Sequence, residues 1–290
     1  IFLDGAMGTM LQAAGLKLGE RPEALCVTEP ETIKNIHRQY INAGSDIVYT
    51  NTFGANSHKL EGTGYTVDEI ITAAVKAAKS ACEGPIGELL EPSGTLKFEE
   101  AYDIFKEMLV CGEKAGADIV VFETMTDLYE VKAGVLAAKE NTSLPIMVTM
   151  TFEENGRTFT GCTVESMACV LEGLGVDAVG INCSLGPKEI FPLAQRLACS
   201  SNLPVVIKAN AGLPDPLTNK YDITPEMFGN YMSMYSKIGI NIAGGCCGTT
   251  PEYIREMARA MKISKGERER VESISKLCTP QKMVKITGVR

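Results

Sequence analysis

The chain has 290 residues, 45% hydrophobic and 22% charged, and carries a net charge of −8. This is the composition of a soluble globular protein long enough for one large domain or two ordinary ones. Its acidity, with a pI near 5.1, excludes nucleic acid and anionic membrane surfaces as partners. No apolar run approaches the roughly 20 residues of a membrane-spanning helix.

Short apolar runs alternate with helix-like stretches along the chain. Ile1-Phe2-Leu3 ends at Asp4-Gly5, and a helix is predicted over 30–43. Ile47-Val48-Tyr49-Thr50 is the second run, followed by a helix over 67–81. A helix over 98–115 leads to Ile119–Phe122, and one over 128–139 leads to Ile146–Met150. Helices over 164–174, 187–197 and 225–237 alternate with Ala178–Ile181, Val205–Lys208 and Ile240–Ala243. Continuous apolar runs suit parallel strands covered on both faces. A recurring small-Gly-x-Asp, as in Ala43-Gly44-Ser45-Asp46 and Ala115-Gly116-Ala117-Asp118, reads as one helix-to-strand turn used repeatedly. Thr224-Pro225-Glu226 and Thr250-Pro251-Glu252 read as helix starts.

Repeated βα units imply a TIM barrel or a doubly wound sheet. No Gly-x-Gly-x-x-Gly follows the first strand, so the dinucleotide-binding version loses support. Asp4, Asn51, Glu123, Cys183, Asn210 and Cys246-Cys247 all stand just after strands. In a (β/α)8 barrel those positions converge on one mouth, where active sites lie, and this convergence selects the barrel. Seven runs are visible. The eighth strand, near residues 82–86, is not, since the 67–81 pattern passes straight into Glu83–Pro92; residues missing from the chain or a local gap is the expectation. The barrel is assigned to residues 1–262. Residues 263–290, opening on the charge run Lys265–Arg270, are assigned to a linker.

Gly244-Gly245-Cys246-Cys247-Gly248 carries the strongest chemical signal. Two adjacent cysteines between glycines, with Cys183 at another strand end, suggest a three-thiolate metal site with one position open. Zinc takes thiolate sulfur, and three protein ligands with an open fourth position is its catalytic pattern. A thiol that binds there is deprotonated near neutral pH. On the cysteines alone, a vicinal disulfide or two buried thiols at a glycine turn remain alternatives. The other seven of the ten cysteines read as small buried or incidental residues, and irregular spacing without Cys-x-x-Cys suits reduced thiols in the cytoplasm. Asp4 and Glu123 are a carboxylate pair able to hold an ammonium group, or else an ordinary turn and a helix cap. The Gly5–Gly8 loop offers backbone N–H groups to a carboxylate. His37 reads as structural and His58 as ambiguous.

Together these motifs resemble the homocysteine-binding barrel of the homocysteine S-methyltransferase family, in particular the N-terminal module of its cobalamin-dependent methionine synthases. The resemblance rests on Asp4–Thr9, Thr50–Ala55, Leu89–Pro92 with Gly94-Thr95, Phe122–Met125, Gly180–Ser184, Asn210–Gly212 and Gly244–Thr249. It implies zinc on Cys183, Cys246 and Cys247, with Asp4 and Glu123 near the amino group of L-homocysteine. It implies amides of Gly5 and Ala6 on the substrate carboxylate, and Asn210 as an oxygen that fills the fourth zinc position before substrate arrives. The expected reaction is methyl transfer to the homocysteine thiol, giving L-methionine. The donor would be methylcobalamin on another module, with cobalamin- and folate-binding modules of the same polypeptide as partners and the 263–290 segment leading toward the folate module. Two other readings stand beside it: a stand-alone methyltransferase using S-methylmethionine or S-adenosylmethionine, and a non-catalytic zinc barrel that docks partner modules.

Overall fold

The computed structural model describes every residue except 18, 79–80, 216–220, 264–265, 269–270, 272–274 and 287–290, and the backbone alone for 81–83. Six strands form one parallel sheet in chain order: β1 (Ala81–Glu83), β2 (Val120–Met125), β3 (Ile146–Met150), β4 (Ala178–Asn182), β5 (Val205–Ala209) and β6 (Ile242–Gly245). The sheet continues past β6 through parallel bridges from Ala243 to Phe2 and from Leu3 to Ile47. Leu3 N–H donates to the Ala243 carbonyl at 2.8 Å, and Ile47 N–H to the Phe2 carbonyl at 3.2 Å. The first and last staves are therefore neighbours, as in a closed barrel. On the other side the loop after Ile47 meets the end of β1. A Cβ on Gly84 would come within 2.7 Å of the Phe53 carbonyl, and Lys59 Nζ donates to the Pro85 carbonyl at 2.9 Å. The fold is a (β/α)8 barrel.

The strand hidden in the sequence is β1. It is three residues long, Ala-Cys-Glu, and pairs with Val120–Phe122. None of the three is β-branched or aromatic, and helix-forming residues run directly into it, so periodicity cannot separate it from the helix before it. The stave not visible in the sequence is thus present, with a length of three residues. The helix predicted over 67–81 runs too far, because Ala81 belongs to β1.

The helices are α1 (Met7–Ala13), α2 (Leu25–Thr28), α3 (Pro30–Ala43), α4 (Ser57–Leu60), α5 (Val67–Ala78), α6 (Phe98–Ala115), α7 (Leu128–Asn141), α8 (Val164–Leu174), α9 (Pro187–Ala198), α10 (Pro225–Lys237) and α11 (Pro251–Ile263). Gly44, Gly116 and Gly175 end α3, α6 and α8 in the left-handed region, where a Cβ is costly. The Asp two residues later has its own task. Asp46 accepts the Phe2 N–H at 2.7 Å, and Asp177 accepts the Ile146 N–H at 2.8 Å. The turns after α3 and α8 therefore each stop a helix and pin the start of the neighbouring strand.

Every residue of β3, β4 and β5 is buried, as expected for strands covered on both faces. Alternate side chains divide between two cores. Leu3, Tyr49, Val121, Met147, Ala178 and Val206 fill the barrel interior, while Val120, Phe122, Ile146, Val148, Val205 and Ile207 pack outward against the helices.

Beyond α11 the chain forms an antiparallel hairpin, β7 (Lys276–Thr279) and β8 (Lys282–Lys285). It lies against α8: Thr163 N–H donates to the Pro280 carbonyl at 3.1 Å, and Lys276 Nζ reaches Glu172 at 3.9 Å and the Ser200 carbonyl at 2.9 Å. Of the predicted charge run, Lys265, Glu269 and Arg270 lie outside the described residues. No helix among the described residues is long and apolar enough to cross a membrane.

Candidate metal and substrate site

The strand ends deliver their side chains into a cavity of about 410 Å³ at the barrel mouth, lined by Asp4, Gly5, Ala6, Glu123, Cys183, Cys246 and Cys247 among others. Seven of the eight site residues expected from the sequence thus line one cavity. The eighth, Asn210, sits behind Cys183, its side chain hydrogen-bonded to that sulfur and its Oδ1 buried without a partner.

The three sulfurs lie within 4.8 Å of one another, with Cys183 Sγ and Cys247 Sγ 3.8 Å apart. Two backbone devices bring them together. After β4, Cys183 and Ser184 turn through left-handed φ values of 60° and 57°, which costs a non-glycine residue roughly 1–2 kcal/mol. After β6, Cys246 N–H bonds the Ala209 carbonyl at 2.8 Å and Ala211 N–H bonds the Cys247 carbonyl at 2.9 Å, so both cysteines are pinned to the end of β5. Gly244 is required by close approach, because a Cβ there would lie 2.8 Å from the Asp4 carbonyl and 2.8 Å from Leu3 Cβ.

Hydrogen bonds from Cys246 and Cys247 pull the Cys183 thiol far below its ordinary value. The same bonding to Cys183 pushes Cys246 well above its ordinary value and Cys247 up to about 11. The three thiols thus titrate as a coupled set and not independently. Such a cluster is matched to a thiophilic cation, and it is the one group of three candidate ligands found among the described residues.

In the same cavity, Asp4 Oδ2 accepts the Tyr49 N–H at 2.8 Å. Asp4 Oδ1 lies 3.2 Å from Lys208 Nζ, which is 2.9 Å from Glu123 Oε1 and 3.5 Å from the centroid of the Tyr49 ring. Burial pushes the Asp4 carboxyl up to about 6, although Lys208 pulls the other way. Burial would lower the Lys208 ammonium, but Glu123 and Asp4 outweigh it and hold the group well above its usual value.

Ala6 N–H is shared between the Thr249 carbonyl and hydroxyl, both at 3.2 Å. His58 is away from the cavity and pairs with Glu88 at 3.6 Å. His37 is buried in α3, and burial lowers its imidazole to about 4. The sequence reading missed Lys208, Tyr49, Tyr221 and Glu23, which also line the cavity, and Asn182, which donates to Cys246 Sγ at 3.8 Å. Lys208 had a readable signal: it is the one charge in the run Val205-Val206-Ile207-Lys208.

The class that the fold and the site define is a (β/α)8 barrel with three convergent sulfurs and a carboxylate pair at its mouth. More narrowly, the chain is a member of the homocysteine S-methyltransferase family, whose model matches residues 1–261. It is 33% identical to the methionine synthase of Mycobacterium leprae over 91% of this chain, and 33% identical to that of Mycobacterium tuberculosis over 92%. The chain spans 25% of the length of each relative. Among solved structures, the homocysteine methyltransferase MmuM from Escherichia coli in its metallated form is similar with a TM-score of 0.78. That match is 22% identical and covers 89% of this chain and 96% of that one.

Proposed function

We propose that this chain is the homocysteine module of a cobalamin-dependent methionine synthase, working in the cytoplasm and using zinc to methylate the thiol of L-homocysteine. The observation that carries the reading is the three-sulfur cluster that shares one cavity with Asp4 and Glu123. The donor set fits the ion: tetrahedral zinc with thiolate bonds of about 2.3 Å sets its sulfurs about 3.8 Å apart, and Cys183 and Cys247 stand at 3.8 Å. The orphaned Asn210 Oδ1 behind Cys183 is an oxygen suited to a fourth position.

Cys183, Cys246 and Cys247 would hold the ion, and its chemistry there is to keep an incoming thiol deprotonated at neutral pH while leaving it nucleophilic. The carboxylate pair takes the substrate ammonium, with Glu123 the more exposed of the two. Backbone N–H groups of Gly5 and Ala6 take the substrate carboxylate, Ala6 by exchanging a donation now made to Thr249. Gripping the amino acid at that end aims its thiol at the sulfur cluster and leaves the methyl carbon to be attacked in line from the open mouth. Methylcobalamin is the proposed donor, presented by a cobalamin-binding module and recharged through a folate-binding module of the same polypeptide. Residues 263–290 are proposed to lead toward the latter.

The test is zinc content together with methyl transfer from free methylcobalamin to homocysteine. One zinc per chain with methionine formed supports the reading. Transfer from S-methylmethionine or S-adenosylmethionine but not from methylcobalamin would replace it with a stand-alone methyltransferase.

A further inference from the structure

We propose that Lys208 is the positioning residue of the amino-group subsite: it bridges Asp4 and Glu123 and cancels one of their two charges, leaving a subsite matched to one substrate ammonium. This rests on the homocysteine reading given above. A buried lysine near the end of an apolar strand has to be accommodated, and the barrel does so specifically. Its stem runs past Gly244, where a Cβ would come within 3.2 Å of Lys208 Cγ. Its ammonium lies over the Tyr49 ring, 3.5 Å from the centroid, an arrangement that favours a cation.

Three staves far apart in sequence meet at this nitrogen. Asp4 follows the first stave, Glu123 lies in β2 and Lys208 in β5, with Nζ 3.2 Å from one carboxylate and 2.9 Å from the other. Asp4 is fixed from both sides, because its second oxygen takes the Tyr49 N–H at 2.8 Å. Asp4 and Lys208 side chains are each 3% exposed and Glu123 is 13% exposed, so Glu123 is the member that reaches the cavity. Two carboxylates and one ammonium leave one net negative charge, enough for one zwitterionic amino acid. Without Lys208 the two like charges would swing apart or admit a solvent cation, and either outcome competes with the substrate amino group. Lys208 therefore acts through Glu123 and Asp4, and what it sets is the preference for a thiol that carries an ammonium.

The experiment measures binding by calorimetry on the zinc-loaded chain, using homocysteine and its deamino analogue, the mercaptobutyrate with the same thiol and carboxylate. Wild type is expected to prefer homocysteine. Lys208→Met should lose that preference by about ten-fold or more, with zinc content and analogue affinity unchanged, while Lys208→Arg keeps most of it. Should Lys208→Met fail to fold, Lys208→Gln, which retains donors to Asp4 but no charge, is expected to show the same loss. A folded Lys208→Met or Lys208→Gln with the wild-type preference overturns the assignment alone. Failure of zinc-loaded wild type to bind homocysteine overturns the underlying reading and this inference with it.

Discussion

Asn182, buried at the end of β4, grips Thr124: its Oδ1 accepts the Thr124 N–H at 2.9 Å and its Nδ2 donates to Thr124 Oγ1 at 2.7 Å. Thr124 sits at φ 61°, a conformation that side-chain-bearing residues rarely hold without such support. The same Nδ2 reaches Cys246 Sγ at 3.8 Å. One amide thus ties the carboxylate wall, through the residue next to Glu123, to the sulfur wall.

Asn182→Ala is accordingly expected to weaken zinc binding by about ten-fold or more, the scale for partners that orient metal ligands. Competition titration with a chromophoric chelator measures this. Wild-type affinity in the variant would show that the amide has no part in orienting Cys246.

Replacing any one of the three sulfur ligands should abolish two properties together. For Cys246→Ser, metal analysis is expected to find almost no zinc, and calorimetry no homocysteine binding, in a chain whose circular dichroism is unchanged. A serine variant that kept both would sink the three-thiolate assignment.

Gly244→Ala tests the close approach of β6 to the first stave. The added methyl meets the Asp4 carbonyl and Leu3 Cβ at 2.8 Å each, and overpacking of this kind costs about 1–3 kcal/mol. Urea denaturation should show that loss, and the altered seating of Cys246 should lower zinc affinity as well. A variant as stable as wild type would mean that the strand yields without cost.

Glu130 gives a pH signature separate from the site. It lies buried in α7, its Oε1 accepting the Ile86 N–H at 2.6 Å, and burial pushes its carboxyl from 4.5 up to about 7. The folded chain therefore holds this proton more tightly than the unfolded chain. The resulting stabilisation is full below about pH 4.5 and is lost as pH rises through 7. The interval is worth roughly 3 kcal/mol. Glu130→Gln keeps an acceptor for Ile86 and cannot ionise, so its stability relative to wild type should climb by up to that amount between pH 5 and pH 8. A difference in urea midpoint that stays flat with pH would exclude Glu130 as the source.

The sequence made some parts of this molecule legible for identifiable reasons. Helices α3, α6, α8 and α10 fall at the predicted bounds, Pro30–Ala43, Phe98–Ala115, Val164–Leu174 and Pro225–Lys237, because an apolar period runs between definite start and stop signals. Strand β1 had neither a period nor β-forming residues, and only its pairing to β2 reveals it. The cysteines were legible because glycines flanking adjacent thiols have few structural uses. Lys208 and Asn182 were visible as residues, but their roles depend on partners 204 and 58 positions away. Spacing along the chain carries no trace of such contacts.

The shortness of β1 has a consequence for solvent exchange. Its ladder to β2 has three rungs, where β3 to β4, β4 to β5 and β5 to β6 each have four. Fewer rungs mean a lower free energy of local opening, so amide deuteration should proceed faster at β1 than at the strands across the barrel. Gly84, at its end, rests on Phe53, and Phe53 lines the cavity. Any occupant that presses on Phe53 closes this seam from the inside, so deuterium uptake around Gly84 becomes a gauge of whether the pocket is filled.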